Sequence, residues 1–239
     1  MSSLPWREGI VIRIKEEAPL TRRYWIKVTD TDNFDFKPGQ FVTLDLPIDE
    51  KPARRWRSYS IASWPDGTNI FELVIVLLEG GAGTTYIFNE IKEGSVVTFR
   101  GALGVFTLPD QLDKDLFLIC TGTGVAPFRS MMHYIDMHNI VHQNIYLIFG
   151  CREKCNILYY DELRQLAERV PFFHYIPTLS RQEWEGKTGY VHAVYETLVQ
   201  HKPPAYFFLC GWKNMIDEAK HRIVAMGYDK KAIHQELYG

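Results

Sequence analysis

The hydrophobic pattern of this chain changes near Pro109-Asp110, and that change limits the folds open to it. Before this point, short segments alternate apolar with polar residues, and turn residues such as Pro38-Gly39 and Asp66-Gly67 separate them. Such a pattern predicts an antiparallel barrel of short strands. Beyond it, continuous apolar runs alternate with helical segments, which predicts a parallel sheet with helices on both faces.

The element positions follow from the same patterns. We expect strands at residues 9–15, 24–28, 41–46, 71–78 and 96–99, with one helix over 84–91. In the second part, strands at 116–120, 144–149, 172–178 and 206–210 alternate with helices over 127–138, 159–169, 191–200 and 213–226. The sequence therefore predicts two domains, residues 1–110 and 111–239, with no long linker between them.

Composition excludes several classes of protein. A formal net charge of -2 argues against a general nucleic-acid binder. No apolar run approaches the roughly 20 residues of a membrane span, and the first residues lack an apolar signal-peptide core, so we expect a cytoplasmic protein without membrane insertion. The four cysteines are Cys120, Cys151, Cys155 and Cys210. Their spacing suits neither a disulfide scaffold, nor a plant-type iron–sulfur cluster, nor a zinc site, so no metal is expected.

The run Arg57-Ser58-Tyr59-Ser60 carries the clearest chemical signal. In an extended chain, alternate side chains point the same way. An arginine, an aromatic ring and a hydroxyl presented together can neutralise a pyrophosphate, stack on a flat ring and donate a hydrogen bond to its edge. A flavin dinucleotide needs these three contacts.

Two glycine-containing segments are typical of phosphate-binding turns. Residues 80–85 (Gly-Gly-Ala-Gly-Thr-Thr) lie between a predicted strand and a predicted helix, where glycines let the backbone approach a ligand and a helix amino terminus attracts anions. Residues 121–127 (Thr-Gly-Thr-Gly-Val-Ala-Pro) follow the apolar run 116–120. They hold the first two glycines of a dinucleotide fingerprint, and proline, which suits a first helical turn, replaces the third.

Together with two motifs near the carboxyl terminus, these segments resemble the ferredoxin–NADP reductase superfamily over nearly the whole chain. Arg-x-Tyr-Ser matches residues 57–60, the flavin-phosphate loop resembles 81–85, and Gly-x-Gly-x-x-Pro matches 122–127. Cys-Gly-x-x-x-Met matches Cys210, Gly211 and Met215, and Glu-x-Tyr matches Glu236 and Tyr238. One residue, Gly239, follows the tyrosine, whereas the nearest family pattern ends on the aromatic. The resemblance implies a β-barrel flavin domain followed by a Rossmann-like α/β nicotinamide nucleotide domain.

The resemblance also implies a role for each matching residue. Arg57 pairs with the pyrophosphate and favours FAD over FMN, Tyr59 stacks on the flavin, and Ser60 hydrogen-bonds near its N5. Tyr238 covers the opposite ring face, while Cys210 and Glu236 lie beside the nicotinamide. The remaining cofactor contacts are implied for Ser58, the main chain of Val74, Ile75 and Val76, the loop residues Gly81, Gly83, Thr84 and Thr85, and the nucleotide turn residues Thr121, Gly122, Thr123, Gly124 and Pro127.

Residues 179–190 bear on the choice of nicotinamide cofactor. In NADP-using family members a Ser-Arg pair at this point holds the 2′-phosphate, and Ser180 and Arg181 match it, with Lys187 and Tyr190 as partners. A phosphate dianion suits such a charge-assisted cluster. The stretch 184–190 also resembles NADH-dependent oxygenase reductases, some of which retain the Ser-Arg pair. We favour NADPH and keep NADH open.

The sequence predicts an FAD-dependent NAD(P)H oxidoreductase in which Ser60, Cys210, Glu236 and Tyr238 line the reacting groups. Because no iron–sulfur module is recognisable, we expect electrons to pass to a separate ferredoxin or flavodoxin. The basic residues Lys51, Arg54 and Arg55 are either a rim that steers an acidic carrier or an ordinary solvated charge run. The alternatives are an NADH-dependent oxygenase reductase component, a free flavin or ferric reductase, and a nucleotide-sensing interaction module without turnover. The sequence does not indicate the oligomeric state.

Overall fold

The computed structural model describes residues 4–238, and the chain forms two compact units. The first unit ends at Thr107 and also includes Arg129–Tyr134; the second contains Leu108–Phe128 and the residues from Ile135 onward. The amino-terminal residues 1–3 and Gly239, on which the leader and tail expectations bear, lie outside the described residues. No helix among the described residues is long and apolar enough to cross a membrane.

The first unit is built on a six-stranded antiparallel sheet in the order β4-β3-β6-β1-β2-β5. The sheet curls so that its two outer strands, β4 and β5, come together. The contact is seen in a hydrogen bond from the Ala62 N–H, just beyond β4, to the Glu72 carbonyl of β5. The strands are β1 (Arg7–Ala18), β2 (Thr21–Val28), β3 (Phe41–Asp45), β4 (Trp56–Ser60), β5 (Ile70–Val76) and β6 (Val96–Leu103), with helices α1 (Pro52–Arg55) and α2 (Ala82–Glu90).

The inner residues of these strands form the core of the first unit. Phe71 and Phe99 are fully buried, and their rings lie 5.1 Å apart at an angle of 60°. Phe34 packs edge-on against Phe99, with ring centroids 5.8 Å apart. Apolar side chains from five strands and from α2 join this cluster. The core therefore fixes β5 and the middle of α2, and Tyr59 of β4 packs against it.

The second unit is a parallel sheet in the order β10-β9-β8-β7-β11-β12. Its central strand, β7 (Asp115–Thr121), is buried from Leu116 to Cys120, as expected of a strand covered on both faces. The other strands are β8 (Ile145–Cys151), β9 (Phe173–Leu179), β10 (Lys187–Thr188), β11 (Ala205–Trp212) and β12 (Ile233–Tyr238). The helices are α3 (Ala126–Met137), α4 (Tyr160–Arg169), α5 (Val191–Leu198) and α6 (Lys213–Ala225).

The structure confirms the predicted fold class, an antiparallel sheet followed by a parallel one, and adds four elements to the predicted strands and helices. Strand β4 contains the run 57–60, which the sequence describes only as extended. The short helix α1 and the two-residue strand β10 carry little periodic signal. The fourth, β12, pairs along β11 from Phe207↔Ile233 to Trp212↔Tyr238. Because β12 is an edge strand of mixed polarity, its residues show neither alternation nor a continuous apolar run. Its pairing brings Glu236 level with Cys210.

Candidate functional site

In the first unit, the Arg57 side chain lies against the amino-terminal turn of α2. A Cβ atom at Gly83 would come within 2.9 Å of Arg57 Cγ and 3.0 Å of Nε. The Arg57 guanidinium is held by its Nη1, which donates to the carbonyls of Arg54 (2.9 Å) and Trp56 (2.8 Å). A fixed guanidinium beside the free N–H groups of a helix amino terminus is a site for phosphate oxygens. The absence of a side chain at Gly83 is what permits this arrangement.

The loop before α2 is shaped by Thr84. Its hydroxyl accepts a hydrogen bond from the Leu78 N–H at 3.1 Å and lies 3.1 Å from the Gly81 carbonyl. Thr84 is buried, whereas the next residue, Thr85, is exposed at the helix start. Thr84 therefore holds the loop, and Thr85 presents its hydroxyl at the anion-attracting end of α2.

Residues 57–60 lie in β4, so the Arg57 and Tyr59 side chains share one face of the strand, as expected. The serine side chains of residues 58 and 60 lie on the other face, so the expected presentation of a hydroxyl together with the arginine and the ring is not met. Tyr59 is half-buried, and burial raises its pKa, with the Arg57 charge acting in the opposite direction. Ser60 is buried, and Ser58 pairs its hydroxyl with that of Thr43 at 2.9 Å. Tyr59 therefore remains a neutral phenol that offers a ring face. Ser58 is committed to its neighbour on β3.

The main chain of residues 74–76 lies on β5, an outer strand of the sheet. Its residues pair on one side with β2, in the register Arg23↔Val74 to Thr21↔Val76. Backbone groups on the other side of an outer strand have no strand partner. They are the groups that can meet the polar edge of a planar ring, as the resemblance implies.

The basic stretch before β4 is largely neutralised. Arg55 makes a salt bridge to Asp45 at 2.8 Å, and Arg54 lies 3.7 Å from a carboxylate oxygen of Asp49. Lys51 is exposed. Paired charges generate a weaker long-range field than free ones. This pairing favours the solvated charge run over the steering rim.

A buried ionic network in the first unit was not anticipated from the sequence. Glu72 is only 2% exposed and accepts hydrogen bonds from Arg23 at 2.6 Å and 3.0 Å, and from Arg129 at 3.1 Å. Arg129 also donates to the Ala62 carbonyl at 2.8 Å. The network ties β2 and β5 to Arg129, which lies in the part of α3 that belongs to the first unit. Glu72 lies on the face of β5 opposite the core residues Phe71, Leu73 and Ile75, and the sequence gives no sign that a carboxylate on this face is buried.

In the second unit, the turn after β7 and the end of β11 touch through their backbones. A Cβ atom at Gly124 would lie 2.4 Å from the Cys210 carbonyl oxygen, and one at Gly211 would lie 2.4 Å from Thr121 Oγ1. Gly211 also has a φ of +139°, which only glycine adopts readily. The structure thus brings the two predicted motifs into contact, at the carboxyl edge where parallel sheets bind ligands.

The turn itself has the expected form. Gly122 has a φ of +54° and begins a single 3₁₀ turn that runs into α3. Thr123 accepts the Ala126 N–H through its carbonyl, and Pro127 lies in the first turn of α3. A proline there costs no intrahelical hydrogen bond. On α6, Met215 lies in the first turn and packs against the apolar core of this unit.

Cys210, Glu236 and Tyr238 gather on β11 and β12. Burial raises the pKa of the Cys210 thiol well above its ordinary value, the Glu236 carboxylate adds to this, and the Tyr238 side chain opposes it. Cys210 is fully buried, whereas Glu236 and Tyr238 are partly exposed. Cys210 is therefore a neutral thiol at neutral pH, and Glu236 is the group in this cluster that can carry a charge.

The Ser180-Arg181 pair follows β9 and is held by the loop after β8. The Ser180 N–H and hydroxyl both donate to the Cys151 carbonyl, at 3.0 Å and 3.2 Å, and the Arg181 N–H donates to the Arg152 carbonyl at 3.0 Å. The Ser180 proton is thus engaged in holding the loop. The side chains of Arg181, Lys187 and Tyr190 are exposed.

Arg152 is a candidate phosphate ligand that the sequence analysis missed. Its backbone pairs with Arg181, and among the described residues none of Arg152, Arg181 and Lys187 makes a salt bridge. The neighbouring Lys154, by contrast, is paired with Glu185 at 2.7 Å. A basic residue directly after a parallel strand was the available signal, because strand ends meet at one edge.

Comparison with known proteins identifies both units. The family described as "Oxidoreductase FAD-binding domain" matches residues 9–108, and "Oxidoreductase NAD-binding domain" matches residues 118–221. A solved ferredoxin NADP+ reductase from Neisseria gonorrhoeae with bound FAD and NADP has a TM-score of 0.82 and 23% identity, covering 97% of this chain and 98% of that one. These matches confirm FAD and a nicotinamide dinucleotide as the cofactors.

Two curated relatives are similar along the sequence. Ferredoxin–NADP reductase B of Sorangium cellulosum (strain So ce56) is 31% identical over 240 residues, covering 97% of each chain. The glycine betaine monooxygenase reductase subunit of Pseudomonas aeruginosa (strain UCBPP-PA14) is 32% identical over 234 residues, covering 95% of this chain and 63% of that protein. The chain thus spans less than two thirds of the length of the second relative.

Proposed function

Because this chain belongs to the ferredoxin–NADP reductase superfamily and is a flavin-dependent oxidoreductase, we propose that it oxidises NADPH and passes the electrons through FAD to a separate ferredoxin or flavodoxin. The proposed domain limits are residues 1–110 for FAD and 111–239 for the nicotinamide nucleotide. The observation that carries the flavin part is Arg57 lying against Gly83 at the start of α2. Because the family is an enzyme family, the nucleotide-sensing module is set aside.

The residues of the first unit bind and orient the flavin. When bound, FAD accepts a hydride from NAD(P)H and releases its electrons singly. Arg57 and the amino terminus of α2 neutralise the pyrophosphate, Tyr59 supplies a flat ring face, and the free edge of β5 meets the polar rim of the ring. The proposal implies that a flavin held by this guanidinium is retained between turnovers, whereas the free flavin or ferric reductase alternative requires it to be released.

The residues of the second unit bind and orient the nicotinamide nucleotide. The Thr121–Pro127 turn supplies backbone N–H groups at the start of a helix, where a pyrophosphate is favoured. Cys210 remains a neutral thiol, so it packs against the nicotinamide end without adding charge. Glu236 is level with Cys210 in the sheet and supplies the carboxylate of the site. Tyr238 lies two residues further along β12, opposite Trp212 of β11.

The cluster after β8 and β9 supports the preference for NADPH. Arg152 and Arg181 are exposed. The Arg181 N–H donates to the Arg152 carbonyl, so the two arginines are neighbours at the edge of the sheet. Lys187 adds a third cation on β10, whose partner strand is β9. A 2′-phosphate dianion suits cations that have no carboxylate partner.

Coenzyme kinetics test this preference. We expect Arg181→Ala and Arg152→Ala each to raise the KM for NADPH about tenfold, with kcat and the NADH parameters nearly unchanged, because each removes a charged hydrogen bond made equally in the ground and transition states. Lys154→Ala is the matched control, since Lys154 is already paired with Glu185. Equal effects on the KM for NADPH and for NADH would show that these arginines do not bind the 2′-phosphate.

The second candidate is an NADH-dependent reductase component of an oxygenase. The specific observation in its favour is the 32% identity to the glycine betaine monooxygenase reductase subunit. The same experiment separates the two, because this candidate requires NADH to be the better substrate of the unchanged protein. Anaerobic mixing of the reduced protein with ferredoxin, and separately with flavodoxin, then tests the proposed acceptor. Oxidation of the flavin by neither carrier would contradict the proposed partner.

A further inference from the structure

Trp212 differs from the other tryptophans of this chain. The sequence has six tryptophans, and in the structure the other five each have an aromatic, cationic or hydrogen-bond partner. The partners are Trp6 with Trp56 (5.7 Å between rings), Trp25 with Arg23 (4.7 Å), Trp64 with His133 (3.9 Å), and Trp184 Nε1 with the Lys187 carbonyl (2.6 Å). Among the described residues, no such partner meets the indole of Trp212.

The position of Trp212 in the sheet connects this difference with ligand binding. Isolated exposed apolar residues are common on protein surfaces, so 54% exposure alone carries no argument. Trp212, however, ends β11 at the carboxyl edge of the parallel sheet, the edge at which ligands bind in this architecture. It comes two residues after Cys210 and lies opposite Tyr238 in the β11–β12 register.

The backbone of Trp212 is fixed to the nucleotide turn. Its N–H donates to Thr121 Oγ1 at 3.4 Å, and the preceding Gly211 has no room for a side chain against the same threonine. The next residue, Lys213, is paired with Asp217 on α6. Its ammonium group is therefore engaged away from the indole. The backbone of Trp212 is thus anchored beside the nucleotide turn, and its side chain is exposed.

An open indole face is a binding site for a flat cation. Tryptophan is the best aromatic partner for a cation, and the attraction acts within about 6 Å of the ring. The nicotinamide ring carries a positive charge in NAD(P)+ and none in NAD(P)H. A tryptophan at this edge therefore distinguishes the two redox states, which an aliphatic side chain of similar polarity does not.

We infer that Trp212 binds the nicotinamide end of the dinucleotide and holds the oxidised, cationic ring more tightly than the reduced, neutral one. This inference rests on the proposed function, because it requires the nicotinamide to lie at the end of β11. It makes Trp212 a residue that sets the affinity for the product. The Glu236 carboxylate also favours a cation, so the contribution of Trp212 has to be separated from it by substitution.

Binding measurements on the FAD-loaded protein test the inference without turnover. Calorimetric titration gives the Kd of NADP+ and of tetrahydro-NADP, an analogue whose nicotinamide ring is neutral and does not donate hydride. In Trp212→Leu we expect the preference for NADP+ over the analogue to fall about three- to tenfold, and in Trp212→Phe to fall less, because phenylalanine retains a weaker π face. Glu236 is unchanged in both variants, so its contribution cancels.

Phe172→Leu is the matched control, because Phe172 is 66% exposed and precedes β9 at the amino edge of the same sheet. The preference of Phe172→Leu for NADP+ over the neutral-ring analogue should equal that of the unchanged protein. If Trp212→Leu weakens both ligands equally, or neither, while the unchanged protein binds both, the inference is wrong and the proposed function stands. If the unchanged protein retains FAD but binds neither dinucleotide, both the inference and the proposed function fail.

Discussion

Gly124 and Cys210 are in direct backbone contact, and no side chain larger than hydrogen fits at Gly124. An added Cβ would lie 2.4 Å from the Cys210 carbonyl oxygen and 3.0 Å from the Gly211 nitrogen. Both obstacles are backbone atoms, so neither can rotate away. The turn that follows β7 and the Cys210-Gly211 pair therefore keep their shapes together.

Gly124→Ala should weaken nicotinamide nucleotide binding without loss of FAD. The alanine methyl group displaces the turn from β11, and the strain of such overpacking, about 1–3 kcal/mol, corresponds to roughly 10- to 100-fold in affinity when binding requires the original turn. Titration with NADP+ measures the loss, and the bound FAD reports that the first unit is folded. The control is Gly67→Ala, where nothing lies within 4 Å and the change tests only backbone strain. Unaltered binding by Gly124→Ala would mean that the turn does not hold the nucleotide.

Arg57→Ala should reduce FAD retention. The guanidinium supplies charged hydrogen bonds, each worth about 1.5–3 kcal/mol when lost. Equilibrium dialysis of FAD against the purified variants measures the change. Gly83→Ala should reduce retention too, because its methyl group pushes the Arg57 side chain from the helix end. Arg55→Ala is the control, since that arginine is bound to Asp45. A variant at Arg57 that keeps FAD as firmly as the unchanged protein contradicts the assignment.

Glu72→Gln should destabilise the first unit by about 3–5 kcal/mol, because it removes the buried carboxylate that Arg23 and Arg129 share, although Arg23 keeps its pair with Glu17. Denaturant unfolding followed by flavin release measures this loss. Arg164→Ala is the control: its pair with Glu168 is exposed on both sides, and such pairs contribute about 0–1 kcal/mol. A loss at Glu72 no larger than at Arg164 would refute the role given to the network.

His192 should make the stability of the protein fall below about pH 6.5. Its Nδ1 lies 3.0 Å from the Tyr195 hydroxyl and its Nε2 lies 3.4 Å from Glu218, with Arg222 and Glu196 nearby. Burial lowers the His192 pKa from its ordinary value of 6.5, and the Arg222 charge acts in the same direction, while Glu218 and Glu196 oppose them. The unfolded chain therefore binds the proton more readily than the folded one.

The sign of the effect follows from this difference. The contribution of His192 to stability is complete above the unfolded pKa and is lost as the pH falls through the lower folded pKa. Between about pH 5 and pH 7, the unfolding temperature of His192→Gln should change less with pH than that of the unchanged protein. His221→Gln removes an exposed imidazole from α6 and controls for the loss of a histidine as such. Identical slopes for His192→Gln and the unchanged protein would contradict this account.

The strongly periodic elements could be predicted from the sequence, and the elements held by tertiary contacts could not. The apolar run of β7 and the helix that begins with Ala126-Pro127 lie where expected, since burial on two faces and a proline-compatible first turn are local signals. Strand β12 has no such signal, because its six residues mix polar with apolar side chains and none of them is fully buried. Its position follows from pairing with β11.

The candidate site shows the same division. Arg57, Tyr59 and the glycines of the two phosphate-binding turns were predicted from the sequence. A dinucleotide requires a cation, a flat ring and a backbone that approaches closely, and each requirement limits the residue type. Arg152 was missed because its neighbour Arg181 is distant in sequence and near only through the sheet edge. Glu72 was missed because its arginine partners come from β2 and α3, and sequence periodicity does not record charge compensation across elements.

Anaerobic reduction of the purified protein tests the central claim most directly. The account predicts that the protein retains FAD, and that one equivalent of NADPH bleaches the visible absorbance of the bound flavin faster than NADH does. It also predicts that ferredoxin or flavodoxin then restores the absorbance. A protein that carries no FAD, or whose bound FAD is reduced by neither nicotinamide cofactor, would contradict the account.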